Sequence, residues 1–591
     1  MSLGANTNAF VIGCPGPLPA PWPRMPTEVR VEESGGLPAV AVVRFLDPGR
    51  DLLAQTGIRV GGRFTVQVKP GDETAQLPLF AGEVVALEAE FDGTGSFTTI
   101  RALDVSHRLQ RGRRIAGHRN STASEVVTQL ATAAGVPLGT VDATGTVYEY
   151  LTQPNVSDWE FLRTLAVENG RELVVADGLL HFRDPVPATS APGLSTRPEQ
   201  SPYVLELGKN VLAVRAAVSS VGQVSTVEVR GWDVTRKEAV VADTAVTPST
   251  ELQLGVTPQQ AVAAFGPARM LVADVPYRTA AEATAVSAAL AADTAGALGE
   301  LEITVRGNPH LRVGVPVALS SAGAPFDGKY TITSAVHTDL LGIGYETRLT
   351  VSGRQDRSLY GLASGASAQA RSPRIPSVAT GVVVDVMKAG ETPLSGYREQ
   401  EKQGWVKLKF PWLSDSSGGG EAYVSDWART VQLGGVRGGG LICPEIGDEV
   451  LVAFEQGLLD RPYVIGGLYN GLDRPSPDTL PLTDGYGRVN RRSLASRSGD
   501  RLELLDSLYA EQGIRLRTGD DRLTVHLDRR RTEITVHSDG AVTVTAAEGI
   551  TVKGDGITLD AGNGELSLKG RSVSVHGGTD VTVKAATIHL N

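Results

Sequence analysis

A repeat of apolar doublets runs through the last part of the chain and limits what it can fold into. Two apolar residues separated by one other recur as Ile514/Leu516 and Leu523/Val525, then as Ile534/Val536, Val542/Val544, Ile550/Val552, Ile557/Leu559, Leu566/Leu568, Val573/Val575, Val581/Val583 and Ile588/Leu590. From Ile534 to Ile588 they advance 54 residues in seven steps, or 7.7 residues per step. Residues at i and i+2 share one face of a strand. A Gly, Asp or Asn usually falls between doublets, where the chain has to turn. A repeat of this kind predicts a β-solenoid rather than a globular domain. A coil of three strands would use about 23 residues, so residues 514–590 supply only about three coils, near the minimum for one chain. Three chains contributing strands to a common prism close a continuous core instead. The expectation is a homotrimeric, triple-stranded β-solenoid over residues 512–591. Its axis is expected to be filled by Val542, Val544, Ile550, Val552, Ile557, Leu559, Leu566, Leu568, Val573, Val575, Val581 and Val583.

The rest of the chain is also β-rich but not repetitive. At roughly 100 to 200 residues per domain, 591 residues hold about three to five domains. Gly fills 68 positions while aromatics are 5% and charged residues 21%, a mixture that suits turn-rich β structure. A net charge of −10 argues against a chain built to coat nucleic acid or an anionic membrane, though a local basic patch stays compatible with it. Cys14 and Cys443 can form at most one bridge, so no disulfide framework holds the fold and the usage fits a reducing compartment. Residues 1–26 lack a basic region followed by an apolar core and are interrupted by prolines, so they read as a flexible lead, not a signal peptide. The most helix-like apolar stretch, 285–298, contains Asp293 and falls short of about 18 uninterrupted apolar residues.

Period-2 patterning from residue 27 to 104 (Val29/Val31, Val40/Val42/Phe45, Phe64/Val66/Val68, Val84/Leu87/Ala89) predicts a first barrel over 27–108. Capping boxes at Thr122/Glu125 and Ser157/Glu160 predict two short helices closed by Gly135 and Gly170, followed by a hairpin turning at Asp177-Gly178; together they make an α/β insertion over 109–202. A third box, Thr279/Glu282, opens an Ala-rich helix inside a second barrel unit over 203–360. Residues 361–379 are rich in Ser, Ala, Gly and Pro and read as a linker. Five strand-like runs between 380 and 472 suggest a small OB-like barrel. A polar connector over 473–511 leads to the needle.

The run GWVKLKFPW (404–412), with SDWART (425–430), PEIGDEVLVAFEQG (444–457) and RPYVIGGLYN (461–470), resembles the barrel of VgrG-type spike proteins. Upstream, DVSHRLQRGRR (104–114), QPNVSDWEFLRTLA (153–166) and DGLLHF (177–182) resemble the hub portion of the same family, and with the repeat the similarity covers about residues 25–591. The resemblance implies a hub like that of phage baseplates, whose trimer presents tube-like barrels to an inner tube, while barrel and needle point outward. It implies a part in a contractile injection machine, with the hub segments nearest to the extracellular injection systems. It further implies inner-tube and baseplate partners, carried effector cargo, and a PAAR-like tip protein seated on Ile588, Leu590 and Asn591. Some relatives insert a lysozyme between barrel and needle or append a toxin; the connector is only about 40 residues and the repeat runs to Asn591, which leaves room for neither.

There is no G-x-S-x-G, H-E-x-x-H or C-x-x-C. Asp539, Glu548, Asp555 and Asp560 are candidates for a carboxylate pair on a solenoid, but turn carboxylates are usually just solvated. His576 and His589 stand alone; a ring of three on a trimer axis and a plain surface role are both open, and no metal or cofactor is assigned. Residues 380–472 carry 8 Lys plus Arg against 12 Asp plus Glu, which disfavours nucleic acid, so Trp405, Phe410, Trp412 and Trp427 are read as barrel packing. The Gly-rich GGVRGGG (434–440) reads as a tight barrel loop, and Arg108, Arg111, Arg113 and Arg114 either meet an acidic partner or pair within the chain.

The expectation is a mainly β, non-enzymatic, homotrimeric spike: hub, OB-like barrel and needle. It is expected to be assembled in the bacterial cytoplasm and to belong to a phage tail-like particle that pierces a target cell envelope. The alternative is a phage-tail solenoid that binds or cleaves surface glycan, against which residues 514–591 contain no Trp, Tyr or Phe.

Overall fold

In a computed structural model of the chain, residues 9–70, 75–233, 236–352, 374–375, 377–388, 404–411, 423–435, 438–478 and 480–589 are described. They fall into two units, residues 1–473 and 474–591.

The first unit is organised by a ten-stranded sheet. Its order is Ala9–Gly13, Arg63–Lys69, Leu77–Asp92, Gly95–Leu103, Leu37–Leu46, Pro26–Ser34, Ser334–Leu340, Gly344–Val351, Gly299–Arg306, Val211–Val218. The two barrels predicted at 27–108 and 203–360 are therefore two halves of one sheet. They join where Pro26–Ser34 runs antiparallel to Ser334–Leu340, from Glu28 opposite Leu340 to Ser34 opposite Ser334. Each half keeps its own core, one around Phe45, Phe64 and Ile100, the other around Leu301, Leu319 and Tyr330. In Leu37–Leu46 the buried face is Ala39, Ala41, Val43 and Phe45, so the reading that put Val40 and Val42 with Phe45 is corrected: Phe45 lies an odd number of residues from both, and a period of two cannot place them on one side.

The flexible lead expected over 1–26 is corrected from residue 9 onward. Ala9–Gly13 pairs antiparallel with Arg63–Lys69, and Ile12, Leu18 and Trp22 are buried, with Trp22 Nε1 donating to Gln55 Oε1 at 3.0 Å. The prolines that exclude a helix do not prevent the segment from closing the sheet edge with apolar side chains.

The insertion follows its local signals. Thr122/Glu125, Ser157/Glu160 and Thr279/Glu282 form capping boxes at Ala123–Ala133, Asp158–Glu168 and Ala280–Gly296. The hairpin Glu172–Ala176 to Leu179–Arg183 turns through Asp177 (φ 51°) and Gly178 (φ 78°), the two left-handed residues its type of turn needs. The helices Ala123–Ala133 and Asp158–Glu168 meet over Val127, Leu130, Trp159, Leu162 and Leu165, while Ala280–Gly296 packs on the three-stranded sheet of Glu238–Ala245, Thr226–Asp233 and Arg269–Tyr277. Among the described residues no helix is long and apolar enough to cross a membrane.

All five expected barrel runs carry strands, in the order Val406–Lys409, Ala379–Val386, Glu449–Phe454, Pro462–Gly467, Arg429–Thr430. Bridges Val406 to Ala428 and Lys409 to Val424 bring the last edge back to the first and close the barrel. Of the linker 361–379, residues 361–373 and 376 lie outside the described residues.

In the second unit the polar connector is corrected. Arg491–Ala495, Arg501–Asp506, Gln512–Arg517, Leu523–Asp528 and Glu533–Ser538 form one antiparallel meander, so two strands fall inside the expected connector and the next three pair within the chain rather than as solenoid coils. Alternation such as Arg501-Leu502-Glu503-Leu504 is strand patterning that its charge content obscured. After Ser538 no strand pairs within the chain among the described residues.

Candidate assembly interfaces

The barrel is fastened to the hub through aromatic residues. Phe410 is buried, stacked on Tyr423 at 6.2 Å and tilted against Phe454 at 5.6 Å. Ile115 and Tyr150 of the insertion pack against the same core, Tyr150 donates to the Val424 carbonyl, and the Thr152 and Tyr423 hydroxyls lie 3.3 Å apart. Trp405 and Trp427 are half-buried, with Lys407 Nζ 4.2 Å from the Trp427 ring centre, while Trp412 lies outside the described residues. Cβ atoms at Gly434 or Gly439 would meet the facing backbone at 2.4 and 2.5 Å, so the Gly-rich loop is as tight as its composition suggests.

Charged groups line the same joint. Gln456 Nε2 donates to Ala273 O at 3.2 Å and Arg278 lies 4.0 Å from Glu455. Burial, reinforced by Glu282 and Asp460, pushes the Glu168 carboxyl up to about 7. Burial lowers the Arg278 guanidinium, and nearby Arg461 adds to this.

Of the basic cluster, Arg108 pairs with Glu83 and Arg114 with Asp158 at 2.7 Å, whereas Arg111 and Arg113 are exposed. A cavity of about 320 Å³ lies between the sheet and the insertion hairpin. Its buried carboxylates are already satisfied: Asp104 accepts from Ala39 N at 2.6 Å and Ser106 N at 2.8 Å, and Glu33 from Arg312 Nε at 2.8 Å.

The meander of the second unit has an inverted arrangement. Its charged face is the buried one. Asp478, on a segment that doubles back over that face, takes Arg501 at 3.3 Å, Arg515 at 3.1 Å and Arg517 at 2.6 Å, while Glu503 takes Arg515 at 2.8 Å and Arg491 at 3.5 Å; both carboxylates are fully buried. Burial opposes the Asp478 charge, but the Leu480 N–H, Arg517 and Arg515 outweigh it and hold the carboxyl below its usual range. Two apolar rows cross the opposite face: Leu504, Ile514, Leu527 and Ile534 in one, Leu494, Leu502, Leu516, Val525 and Val536 in the other. Apart from half-buried Val525 these residues are 40% (Leu502) to 73% (Ile534) exposed.

The expected needle residues continue this pattern. From Val542 to Ile588 the doublets are 51% (Ile588) to 70% (Val552) exposed, and Leu590 and Asn591 lie outside the described residues. Between 541 and 589 the one backbone-to-backbone hydrogen bond among the described residues is Gly564 N to Ala561 O at 2.8 Å. Asp560 accepts from Gly562 N at 2.8 Å, a turn role, and His537 Nε2 lies 3.1 Å from Asp539 Oδ1.

Residues 395–469 match the family described as the type VI secretion system/phage-baseplate injector OB domain, and residues 60–340 match the Alg8 N-terminal domain. The type VI secretion system spike protein VgrG4b of Pseudomonas aeruginosa is 34% identical over 130 residues, 22% of this chain and 15% of that protein. The chain is thus similar to VgrG-type spike proteins. The actin cross-linking toxin VgrG1 of Vibrio cholerae is 38% identical to this chain over 82 residues, 14% of the chain and 7% of the toxin. Both matches thus span well under two thirds of these relatives. A solved Francisella PdpA-VgrG complex, in a half-lidded form, shares the fold with a TM-score of 0.50 at 10% identity, over 85% of this chain and 81% of that one.

The structure places Phe410 in the barrel core and Trp405 and Trp427 on its half-buried rim. Sequence reasoning missed the Asp478 and Glu503 cluster and the apolar rows before residue 514, because it took the charged residues between 491 and 506 as marks of a linker.

Proposed function

We propose that the chain works as a homotrimeric, non-enzymatic spike at the tip of a contractile injection machine, with the hub toward the inner tube and baseplate and the needle toward the target envelope. The observation that carries this reading is the stretch 541–589, with one backbone-to-backbone hydrogen bond among the described residues and a row of half-exposed Val, Ile and Leu. Backbone N–H and C=O groups need partners, and apolar side chains at this density need cover. Two further copies supply both at once, which puts Val542 to Val583 on the axis and agrees with the VgrG-type barrel and hub. Work comes from contraction elsewhere, and this chain contributes stiffness. In the same reading a PAAR-like tip protein contacts Ile588, Leu590 and Asn591, and assembly takes place in the bacterial cytoplasm before the particle acts.

Light scattering on the purified chain tests the reading. A mass near three times 62.1 kDa is expected. A stable 62.1 kDa monomer that hydrolyses or binds glycan would replace the spike with the solenoid alternative.

A further inference from the structure

We infer that the antiparallel meander, not the long distal stretch, is where three chains first meet, so that residues 491–538 nucleate and register the trimer and residues 541–589 wind together afterwards. This rests on the trimeric reading and divides its work between two parts of the needle. The meander is complete in one chain as a hydrogen-bonded sheet: its five strands pair in sequence from Arg491 to Ser538. Its charged face is sealed by the chain's own segment, with Arg491 Nη2 donating to Ser476 O at 2.7 Å, Arg501 Nη1 to Pro477 O at 2.7 Å, and Asp478 set among three arginines. What stays open is an ordered apolar surface, Leu502, Leu504, Ile514 and Leu516 at its centre.

The occupant is a second copy of this chain. The apolar rows lead into the 541–589 doublets, whose backbone has to pair with other chains, so one continuous interface covers both. The two parts differ in what they hold before contact. The meander presents its apolar groups already fixed by its ladder, so docking costs little conformational entropy. The distal stretch must order backbone and side chains at the moment it pairs, about 1–2 kcal/mol per residue for the backbone alone, and nucleating such pairing from free chains is slow.

The test uses full-length chains. Leu504→Asp/Leu516→Asp places charges on side chains that are solvent-accessible in the single chain, and Val552→Asp/Val575→Asp does the same in the distal stretch. Light scattering should find the first variant at one third of the wild-type mass with an unchanged circular dichroism spectrum of the hub, and the second still at wild-type mass with only its C-terminal stretch opened to protease. If the first pair precipitates, the milder Leu504→Ala/Leu516→Ala should slow trimer recovery after dilution from denaturant at least tenfold while Val552→Ala/Val575→Ala leaves it within about twofold. A trimeric Leu504→Asp/Leu516→Asp chain, or recovery slowed by the distal pair instead, overturns the nucleus and leaves the spike standing. A wild-type chain that is itself monomeric removes the spike reading as well.

Discussion

The barrel and the meander are both five-stranded, yet they finish their burial in opposite ways. The barrel closes on itself and seals Phe410, Val406 and Val452 inside. The meander buries arginines and carboxylates beneath its own chain and leaves leucines and isoleucines open. The sheet that closes covers its own apolar side chains, and the one that stays open leaves exposed the surface that, in the proposed trimer, other copies cover.

The largest effect should come from the distal stretch. In the proposed trimer Val552→Asp enters three times and brings three carboxylates together on the axis, at several kcal/mol each. The expected outcome is loss of the protease-resistant C-terminal fragment, read by mass spectrometry after limited digestion. An intact fragment would put Val552 on the outside. Phe410→Ala should cost the barrel about 3–5 kcal/mol through the cavity left against Tyr423 and Phe454, read as an earlier unfolding transition by calorimetry with the trimer mass unchanged. A similar loss at Trp427, which is half-buried, would show that rim and core had been confused.

These two regions also differ in how far the residues announced them. The barrel was legible as five runs because its apolar residues are dense and the chain supplies every strand's partner; the strand order and the closing bridges came only with the structure. The needle repeat was equally legible as a period, but where in-chain pairing stops was not, since Ile534/Val536 and Val542/Val544 look alike in sequence and only the first doublet has a ladder partner within the chain. The Asp478 cluster stayed hidden because its members lie up to 39 residues apart, and a charge pattern reads as solvated unless something covers it. The join of the two hub halves, Pro26–Ser34 against Ser334–Leu340, left no mark at either strand, because any amphipathic strand can occupy a sheet edge.

The hub–barrel joint should respond to pH. Glu168 is raised to about 7 in the folded chain, so between its ordinary value and about 7 the docked state holds a proton that the opened state releases. Stability of the joint is therefore greatest in acid and falls as pH rises through 7, by up to about 3 kcal/mol. Glu168→Gln should flatten that dependence and raise the first thermal transition at pH 8 while changing little at pH 5. An unaltered pH profile in the variant would mean that Glu168 does not hold the proton.

The smallest effect sharpens the comparison by testing the same chemistry on both faces of one sheet. Asp478 and Asp506 each meet arginines: Asp478 is fully buried among Arg501, Arg515 and Arg517, and Asp506 is about half exposed between Arg492 at 2.9 Å and Arg529 at 3.3 Å. Removing one partner of a buried set leaves the others uncompensated, so Asp478→Asn should cost about 3–5 kcal/mol. An exposed pair is worth about 0.2–1 kcal/mol, so Asp506→Asn should shift the urea midpoint of the second unit barely beyond error. Salt separates the two further, because 0.5 M chloride screens the Asp506 pairs and hardly reaches Asp478. If Asp506→Asn proved as costly as Asp478→Asn in the assembled trimer but not in the Leu504→Asp/Leu516→Asp monomer, the difference would measure how much of the apolar face, with Asp506 at its margin, the neighbouring copies cover.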